Sequence, residues 1–310
     1  MQRQILNARL KRARREVQVF QPPHLAQPLI IVSAPRAGST LLLETLARFP
    51  DLWTIGEESH EIVEGIPALH PAAHGYASNC LTAADLTPPI AELLCDRLAR
   101  QLRDRSGRLW MELAAEERPD APRLLEKTPK NALRIPFLRA LFPDARFLFL
   151  HRAPAENIAS ILDGWHSRRF VAYHALPGWP RGAWSFLLTP GWKQWAGRPL
   201  VEVAAQQWRV ANETILAELA TCPCAQWLAV SYAELVTAPR QSVQRIADFA
   251  GLTWDETVEQ ALAAPLPLSR MTFSAPSPDK WRKYAAEIET VIPDLESLAK
   301  RLAGLESDSE

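Results

Sequence analysis

The sequence predicts an α/β protein in which a central parallel sheet is flanked by helices. One observation is the stretch at 28–45, where a β-branched apolar run precedes a short loop and then good helix formers. A second is the run at 146–151, the clearest strand of the chain, which leads through a turn into another helical segment. Strands that alternate with helices form parallel βαβ units, and the helices then cover both faces of the sheet.

The other elements follow from the same patterns. We expect five strands. The first lies at 29–32, the second ends near 55, and the third begins at 124 and ends in the polar residues before 131. The fourth lies at 146–151 and the fifth at 225–231. The expected helices lie at 40–46, 90–102, 131–141, 155–162, 201–219 and 241–250. Because ligands of such sheets bind at the carboxyl ends of the strands, we expect functional residues in the loops that follow the strands.

The composition favours one domain without a nucleic-acid or membrane partner. The chain has 310 residues, 47% of them hydrophobic, and no linker-like stretch, so we expect a single domain at 28–305. Lys and Arg total 35, as do Asp and Glu, so the net charge does not favour binding to polyanions. Four cysteines without metal-site spacing favour a cytoplasmic protein with reduced thiols. The sequence predicts neither a membrane span nor a signal peptide.

Residues 1–27 are expected to form a basic N-terminal helix or arm. Its positive side chains are Arg3, Arg9, Lys11, Arg12, Arg14 and Arg15. Two interpretations stay open: a solvated helix packed on the edge of the domain, or a docking arm for an acidic partner.

The loop at 33–40 has the composition of a phosphate-binding turn. The first N–H groups of the helix that follows lack intrahelical acceptors, and the helix dipole adds partial positive charge there. Gly38 allows the backbone to approach a phosphate, Ser39 and Thr40 add hydroxyl donors, and Arg36 adds a full positive charge. The sequence therefore predicts an anion site between the first strand and the first helix.

The loop differs from the GxxxxGK[ST] pattern of P-loop NTPases. When Gly38 is placed on the second glycine of that pattern, Ser33 stands at the first glycine and Ser39 at the lysine that grips the terminal phosphates. A nucleotide kinase or NTPase is therefore disfavoured but stays an alternative. A non-catalytic nucleotide-binding or carrier-docking protein is the other alternative.

Two more sets of polar residues follow predicted strands. Glu57, Glu58 and His60 lie just after the second strand, and titratable groups beside an anion site are candidates for general acid–base catalysis. Surface acidity explains such a triple equally well. Arg152 and Ser160 lie eight residues apart across a strand-to-helix turn, which could direct both towards a second phosphate.

Five motifs in order resemble one enzyme family. They are Pro-Arg-x-Gly-[ST]-Thr at 35–40, Gly-x-Glu at 56–58, Lys-x-Pro at 127–129, Phe-Pro-x-Ala-[RK]-Phe at 142–147 and Arg-x-Pro with a later Ser at 152–160. The chain resembles the 3′-phosphoadenosine 5′-phosphosulfate (PAPS)-dependent sulfotransferases of bacterial type, which are related to tyrosylprotein and heparan sulfotransferases. Segments 231–239 and 277–282 resemble later parts of the same family. The resemblance implies the P-loop-like sulfotransferase fold and PAPS as donor, with PAP as its product.

The resemblance also implies roles for individual residues. The donor-binding set is Arg36, Ala37, Gly38, Ser39 and Thr40 at the 5′-phosphosulfate, Arg152 and Ser160 at the 3′-phosphate, and Tyr232, Lys280, Trp281 and Arg282 at the adenosine end. The catalytic set is Lys127, which would neutralise developing charge, and Glu58 as base, with His60 as the second candidate for that role. No metal is expected, because cationic side chains would take the place that Mg²⁺ has in NTPases.

Residues 163–209 form an aromatic-rich insertion. Its large rings are Trp165, Phe170, Tyr173, Trp179, Trp184, Trp192 and Trp195. The segment resembles the insertion of sulfotransferase domains from bacterial polyketide assembly lines, and one interpretation is a lid or wall over an acceptor pocket. The other is a buried aromatic cluster that braces the fold. The first interpretation predicts an acceptor hydroxyl on an apolar small molecule or on a molecule tethered to a carrier protein.

Overall fold

A five-stranded sheet lies at the centre of the fold, and all of its neighbouring strands pair in parallel. The structure is a computed structural model that describes residues 21–273, 277 and 279–307. Residues 1–20 of the predicted basic arm at 1–27 lie outside the described residues, and residues 21–27 are not helical. The strands are β1 (Leu29–Ser33), β2 (Leu52–Trp53), β3 (Arg123–Lys127), β4 (Arg146–His151), β5 (Val171–Tyr173), β6 (Trp184–Ser185) and β7 (Trp227–Ser231). The order of the strands in the central sheet is β2-β3-β1-β4-β7.

Helices pack on both faces of this sheet. The helices are α1 (Ser39–Leu46), α2 (His60–Glu64), α3 (Pro88–Ala99), α4 (Ile135–Leu141), α5 (Pro154–Ser167), α6 (Leu200–Leu219), α7 (Tyr232–Thr237), α8 (Pro239–Ala250), α9 (Glu256–Leu262), α10 (Ala285–Ile288) and α11 (Glu296–Ser307). Because both faces are covered, β1 is buried along its whole length and its sequence is almost entirely apolar. Within β1, Ile30 belongs to one hydrophobic core and Ile31 belongs to the core on the opposite face of the sheet.

The register of the sheet aligns the ends of three strands. Ser33 of β1 pairs with Leu150 of β4, and Ile31 of β1 pairs with Lys127 at the end of β3. The loops that leave β1, β3 and β4 therefore emerge at the same edge of the sheet. The predicted α/β fold with a central parallel sheet is confirmed, and this edge is where the candidate site lies.

Several predicted helices have different bounds in the structure. The helix expected at 90–102 is α3, which begins at Pro88 and ends at Ala99. The helix expected at 131–141 is divided into a 3₁₀ turn, Pro129–Leu133, and α4, because Arg134 at the junction has non-helical φ and ψ of −131° and 13°. The helix expected at 155–162 continues as α5 to Ser167 and ends where Arg168 adopts a left-handed φ of 55°. Local apolar periodicity located α4 and α5. It predicted the end of α4 at Leu141, but neither the start of α4 nor the end of α5.

The aromatic segment contains a short antiparallel ribbon of β5 and β6 and a packed cluster of tryptophan rings. The rings of Trp165, Trp179 and Trp192 surround that of Trp184, with centroid distances of 5.3, 4.7 and 5.5 Å. Trp184 and Trp192 are each 1% exposed, and their indole N–H groups donate to backbone carbonyl oxygens. For these tryptophans the structure agrees with the interpretation of a buried cluster that braces the fold.

Candidate active site

The loop between β1 and α1 has a backbone that only glycine fits at one position. Gly38 has φ of 108°, and a Cβ atom built there would lie 2.4 Å from Cδ2 of Tyr232. The ring of Tyr232 therefore packs directly on the loop. Asn157 of α5 fixes the other side of the loop by donating to the carbonyl of Pro35 at 2.7 Å. This rigid turn directs the N-terminus of α1 towards the edge of the sheet where anions are expected to bind.

A cavity of about 470 Å³ opens beside this loop. It brings together most of the site residues predicted from the sequence: Arg36, Gly38, Ser39, Thr40, Glu58, His60, Lys127, Arg152, Ser160, Tyr232, Lys280 and Trp281. Two predicted residues do not line it. Ala37 is packed under the loop with 0% exposure, and the guanidinium of Arg282 turns to Asp279 at 2.6 Å.

Lys127 connects the loop to the acidic segment after β2. Its side chain is only 2% exposed, and its ammonium donates to Oγ1 of Thr40 at 3.2 Å and to Oε1 of Glu58 at 2.5 Å. Nδ1 of His60 lies 3.7 Å from Oε2 of Glu58. Removing the carboxylate would leave a buried ammonium without its counter-charge, which is costly, so the two groups form one unit.

A buried hydrogen-bond network explains why Glu58 meets Lys127. The backbone N–H of Ser59 donates to Oγ1 of Thr128 at 2.8 Å. The hydroxyls of Ser59 and Thr128 both donate to Oε1 of Glu126 at 2.6 Å. Burial raises the pKa of Glu126, and these hydroxyl donors oppose that rise. The network joins the segment before α2 to the end of β3, and Glu58 and Lys127 lie at the join.

The second group of cations lies around Arg152. Its guanidinium stacks over the ring of Tyr232 at 4.2 Å and donates from Nε and an Nη atom to Oε2 of Glu156 at 3.1 and 2.9 Å. Burial is the main cause that lowers the pKa of Lys280, and the charges of Arg152 and Arg36 lower it further while Asp163 opposes them. Cations that depress one another's pKa in a shared cavity favour a polyanionic ligand.

Arg36 is held by the segment at 265–273, which covers part of the cavity. One of its Nη atoms donates to the carbonyl of Met271 at 2.9 Å, and its guanidinium lies 4.6 Å from the ring centre of Phe170 and 5.1 Å from that of Phe273. Burial and then the charge of Arg152 lower the pKa of Arg36 to about 10. The sequence analysis assigned Arg36 to the phosphate, but it did not predict this cover. The only signal was an apolar run, Pro265 to Leu268, outside any predicted element.

Sequence reasoning also missed an ion cluster in the cavity wall. Glu64 of α2 accepts from Lys130 at 2.7 Å and from Arg134 at 2.5 Å. Lys130 follows Lys127 by three residues, and Glu64 follows His60 by four, but no local pattern indicates that they pair. The pairing depends on how α2 packs against the turn after β3.

The part of the chain that the structure describes contains no group of three or more His, Cys, Asp or Glu side chains that could hold a metal ion. The expectation that no metal is needed stays a prediction. Among the same residues, no helix has the length and apolar character needed to span a membrane.

The fold and the site together are typical of α/β proteins that bind phosphorylated ligands. They combine a parallel sheet, a glycine-dependent turn before a helix and an adjoining cavity rich in cations. The family profile described as "Sulfotransferase family" matches residues 28–256. The chain belongs to the sulfotransferase family. The predicted family resemblance and the sulfotransferase fold class are therefore confirmed.

Several curated proteins are similar along most of this chain. Protein-tyrosine sulfotransferase A of Caenorhabditis elegans is 23% identical over 291 residues, which cover 90% of this chain and 67% of the relative. Protein-tyrosine sulfotransferase 2 of Gallus gallus is 24% identical over 234 residues, 74% of this chain and 53% of the relative. An uncharacterized protein of Aquifex aeolicus (strain VF5) is 22% identical over 285 residues, 89% of this chain. The chain spans only 33% of that last protein, so it spans between a third and two thirds of these relatives.

Solved structures of sulfotransferases are similar at lower identity. The sulfotransferase domain from the curacin biosynthetic pathway is 18% identical, with a TM-score of 0.46, and the match covers 86% of this chain and 98% of that domain. The sulfotransferase from Alicyclobacillus acidocaldarius is 15% identical, with a TM-score of 0.48, and the match covers 89% of this chain and 97% of that one.

Proposed function

We propose that this protein is a PAPS-dependent sulfotransferase that transfers a sulfuryl group to the hydroxyl of an acceptor. The observation that carries the proposal is the shared cavity into which the β1–α1 loop, the Lys127–Glu58 pair and Arg152 all open. The loop suits one phosphate group, Arg152 suits a second, and the paired lysine and carboxylate lie beside the loop. A donor with phosphates at both the 5′ and 3′ positions of adenosine suits two such groups in one cavity, and PAPS supplies the activated sulfuryl group.

The donor-binding residues would act in two sets. Ser39, Thr40 and Arg36, with the N-terminal amides of α1, would hold the 5′ side through charge-assisted hydrogen bonds. Arg152 and Ser160 would hold the 3′-phosphate. For that, the guanidinium of Arg152 would exchange one of its hydrogen bonds to Glu156 for a phosphate oxygen.

The adenosine end would lie against rings and a cation already placed in the cavity wall. Tyr232, Lys280 and Trp281 line the cavity and are kept in this role. Arg282 would not contact the donor, because its side chain is 68% exposed and paired with Asp279.

The chemical step needs no covalent bond between the protein and the sulfuryl group. Sulfuryl transfer is similar to phosphoryl transfer in that positioning and charge stabilisation dominate. Lys127 would place its ammonium, fixed by Thr40, where negative charge develops. Glu58 would take the proton of the acceptor hydroxyl on Oε2, because its Oε1 already accepts from Lys127. His60 lies close enough to Oε2 to remain the second candidate for the base.

The acceptor would be largely apolar. Beside the charged residues, the cavity wall includes Phe170 and Phe186 of the aromatic segment and Leu266 and Leu268 of the 265–273 cover. Rings and aliphatic side chains in such a wall favour an apolar body. Since two relatives are named protein-tyrosine sulfotransferases, phenols belong among the acceptors to be tested, together with alcohols and carrier-tethered hydroxyacyl groups.

The proposal is tested by sulfuryl transfer from labelled PAPS to a panel of these acceptors. We expect labelled product with the wild-type protein and none above background with Lys127→Met. Thermal unfolding with PAP, ATP and ATP plus Mg²⁺ separates the alternatives. PAP should stabilise the protein most. Stabilisation by ATP with Mg²⁺ alone would instead favour a kinase or NTPase, and stabilisation by PAP without transfer to any acceptor would favour a non-catalytic binding protein.

A further inference from the structure

The cavity wall contains a second ion cluster that the proposed chemistry does not use. Oε2 of Glu64 accepts from Nζ of Lys130 at 2.7 Å, and its Oε1 accepts from Arg134 at 2.5 Å. Asn79 and Tyr173 add further hydrogen bonds to the same carboxylate, at 3.0 Å and at 3.2–3.3 Å. The carboxylate of Glu64 is therefore saturated with donors.

The cluster has more positive than negative charge. Lys130 and Arg134 carry one charge each, whereas Glu64 is the only carboxylate that either cation contacts among the described residues. The hydroxyl of Tyr173 stays neutral, because burial and then the charge of Glu64 raise its pKa. Side-chain exposures are 9% for Glu64, 9% for Lys130 and 1% for Arg134. One positive charge thus remains uncompensated in a largely buried place, which is costly without an anion nearby.

Lys130 is the member of the cluster that a ligand can reach. Both Lys130 and Glu64 line the cavity that contains Lys127 and Glu58, whereas Arg134 does not. The ammonium of Lys130 has three N–H donors, and the described acceptors use two of them: Glu64 and the hydroxyl of Tyr173 at 3.2 Å. The third donor is available to a bound molecule.

Lys130 lines the same cavity as the proposed base and the apolar wall. Burial is the main cause that lowers its pKa, and the charges of Glu64 and then Glu58 oppose that effect. Tyr173, over whose ring the ammonium lies at 4.8 Å, ends β5, and the preceding Val171 and Ala172 line the cavity. Because one cavity contains all of these residues, a molecule whose hydroxyl reaches Glu58 and whose body packs on β5 can also contact Lys130.

We propose that Lys130, held in place by Glu64 and Tyr173, binds a carboxylate of the acceptor. The acceptor class is then a hydroxy acid, with a hydroxyl directed to Glu58, an apolar body and one negative charge at Lys130. A single carboxylate matches the single excess charge of the cluster, whereas a dianionic group would leave a negative charge in excess. The inference rests on the proposed sulfotransferase function and narrows its acceptor.

The test compares hydroxy acids with their methyl esters, which keep the hydroxyl and the apolar body but lack the charge. The wild-type protein should use the acid with the lower KM. Lys130→Met keeps the length of the side chain, removes the ammonium and leaves Glu64 paired one-to-one with Arg134, so we expect it to fold. It should raise KM for the acid by roughly 10- to 100-fold and leave KM for the ester unchanged.

Lys193→Met is the matched control, because Lys193 is exposed and lies outside the cavity. It should change neither KM. Lys130→Arg keeps the charge and should retain part of the preference for the acid. Equal KM values for acid and ester in the wild-type protein, or a parallel change of both in Lys130→Met, would overturn the inference.

Calorimetry with PAP separates this inference from the proposed function. We expect wild-type protein and Lys130→Met to bind PAP equally well, since Lys130 belongs to the acceptor part of the cavity. Normal PAP binding without a preference for the acid would overturn only the hydroxy-acid inference. If Lys130→Met does not fold, inhibition decides: a carboxylic acid that lacks the hydroxyl should compete with the acceptor, and its methyl ester should not. Failure of that acid to compete would also overturn the inference.

Discussion

The two walls of the cavity are built by different means. The proposed donor wall consists mainly of loops that leave neighbouring parallel strands at one edge of the sheet, and most of its residues lie in short motifs: 35–40, 127–129 and 152–160. The proposed acceptor wall consists of the β5–β6 ribbon, the 265–273 cover and the Glu64 cluster, which come from distant parts of the chain. Because strands end together at one edge of the sheet, local sequence predicts most residues of the donor wall. The acceptor wall depends on tertiary packing, and the sequence of 163–209 left its role open.

The largest expected effect concerns the pair at which the two walls meet. Glu58→Gln keeps the size of the side chain and an oxygen that can accept from Lys127, but it removes the proposed base. We expect kcat to fall by a factor on the order of 10² to 10⁴, while PAP affinity in calorimetry stays near that of the wild type.

His60→Ala is the matched variant for that experiment. It should lower kcat far less, because His60 touches the proposed base without touching Lys127. The opposite result, a mild Glu58→Gln and an inactive His60→Ala, would exchange the two roles. Two mild variants would show that no enzymic base is needed.

The next largest effect distinguishes bracing from binding in the aromatic segment. Trp184→Ala should lower the free energy of unfolding by about 3 to 5 kcal/mol, because its ring is almost wholly buried among three other tryptophans. Phe170→Ala removes a half-buried ring that lines the cavity, so it should raise KM for the acceptor at a smaller cost in stability. Denaturant unfolding and steady-state kinetics on both variants provide the check. A Trp184→Ala protein that keeps its stability and loses acceptor binding would reassign this tryptophan to the acceptor wall.

The donor wall can be tested through its proposed contact with the 3′-phosphate of the donor. PAP, which is adenosine 3′,5′-bisphosphate, should bind far more tightly than AMP because it has the additional 3′-phosphate. Arg152→Ala should lower that preference by roughly 10- to 100-fold. Calorimetry with both ligands measures it. Arg240→Ala is a suitable control, since this arginine pairs with Glu259 outside the cavity. If the wild-type protein bound the two nucleotides equally, the assignment of Arg152 to a 3′-phosphate would fail.

The donor wall could be predicted largely from the sequence, because most of its elements are marked by local patterns. The apolar run of β1, the turn at Gly38 and the strand β4 are local patterns, so the sheet and the phosphate loop could be predicted. The sequence could also place Lys127 and Glu58 at the same edge, because parallel strands end together. It could not show that Tyr232 packs on Gly38, since the two lie far apart in the chain and only the fold brings them into contact.

The acceptor wall lacked such signals for two reasons. Tryptophan is suited both to a buried core and to a ligand pocket, so the composition of 163–209 left both interpretations open until burial was known. The pairing of Glu64 with Lys130 and Arg134 depends on α2 packing against the turn after β3, which no periodicity encodes. Charges that neutralise each other across 66 residues of sequence contribute nothing to a local motif.

The smallest expected effect concerns the basic arm at 1–20 and decides between two kinds of acceptor. A hydroxyacyl group on a carrier protein is bound through its carboxyl carbon and has no carboxylate for Lys130, whereas the arm could attract an acidic carrier. If the acceptor is a free hydroxy acid, deleting 1–20 should change KM for free and carrier-bound acceptors equally, by less than about twofold at about 0.1 M salt, where the Debye length is about 10 Å. Steady-state kinetics at low and high salt measure this, with the chain that retains residues 1–20 as control. A rise in KM confined to the carrier-bound acceptor, and lost at high salt, would identify the arm as the docking element. Such a result would also count against the hydroxy-acid inference, because the two acceptors place opposite demands on the charge at Lys130.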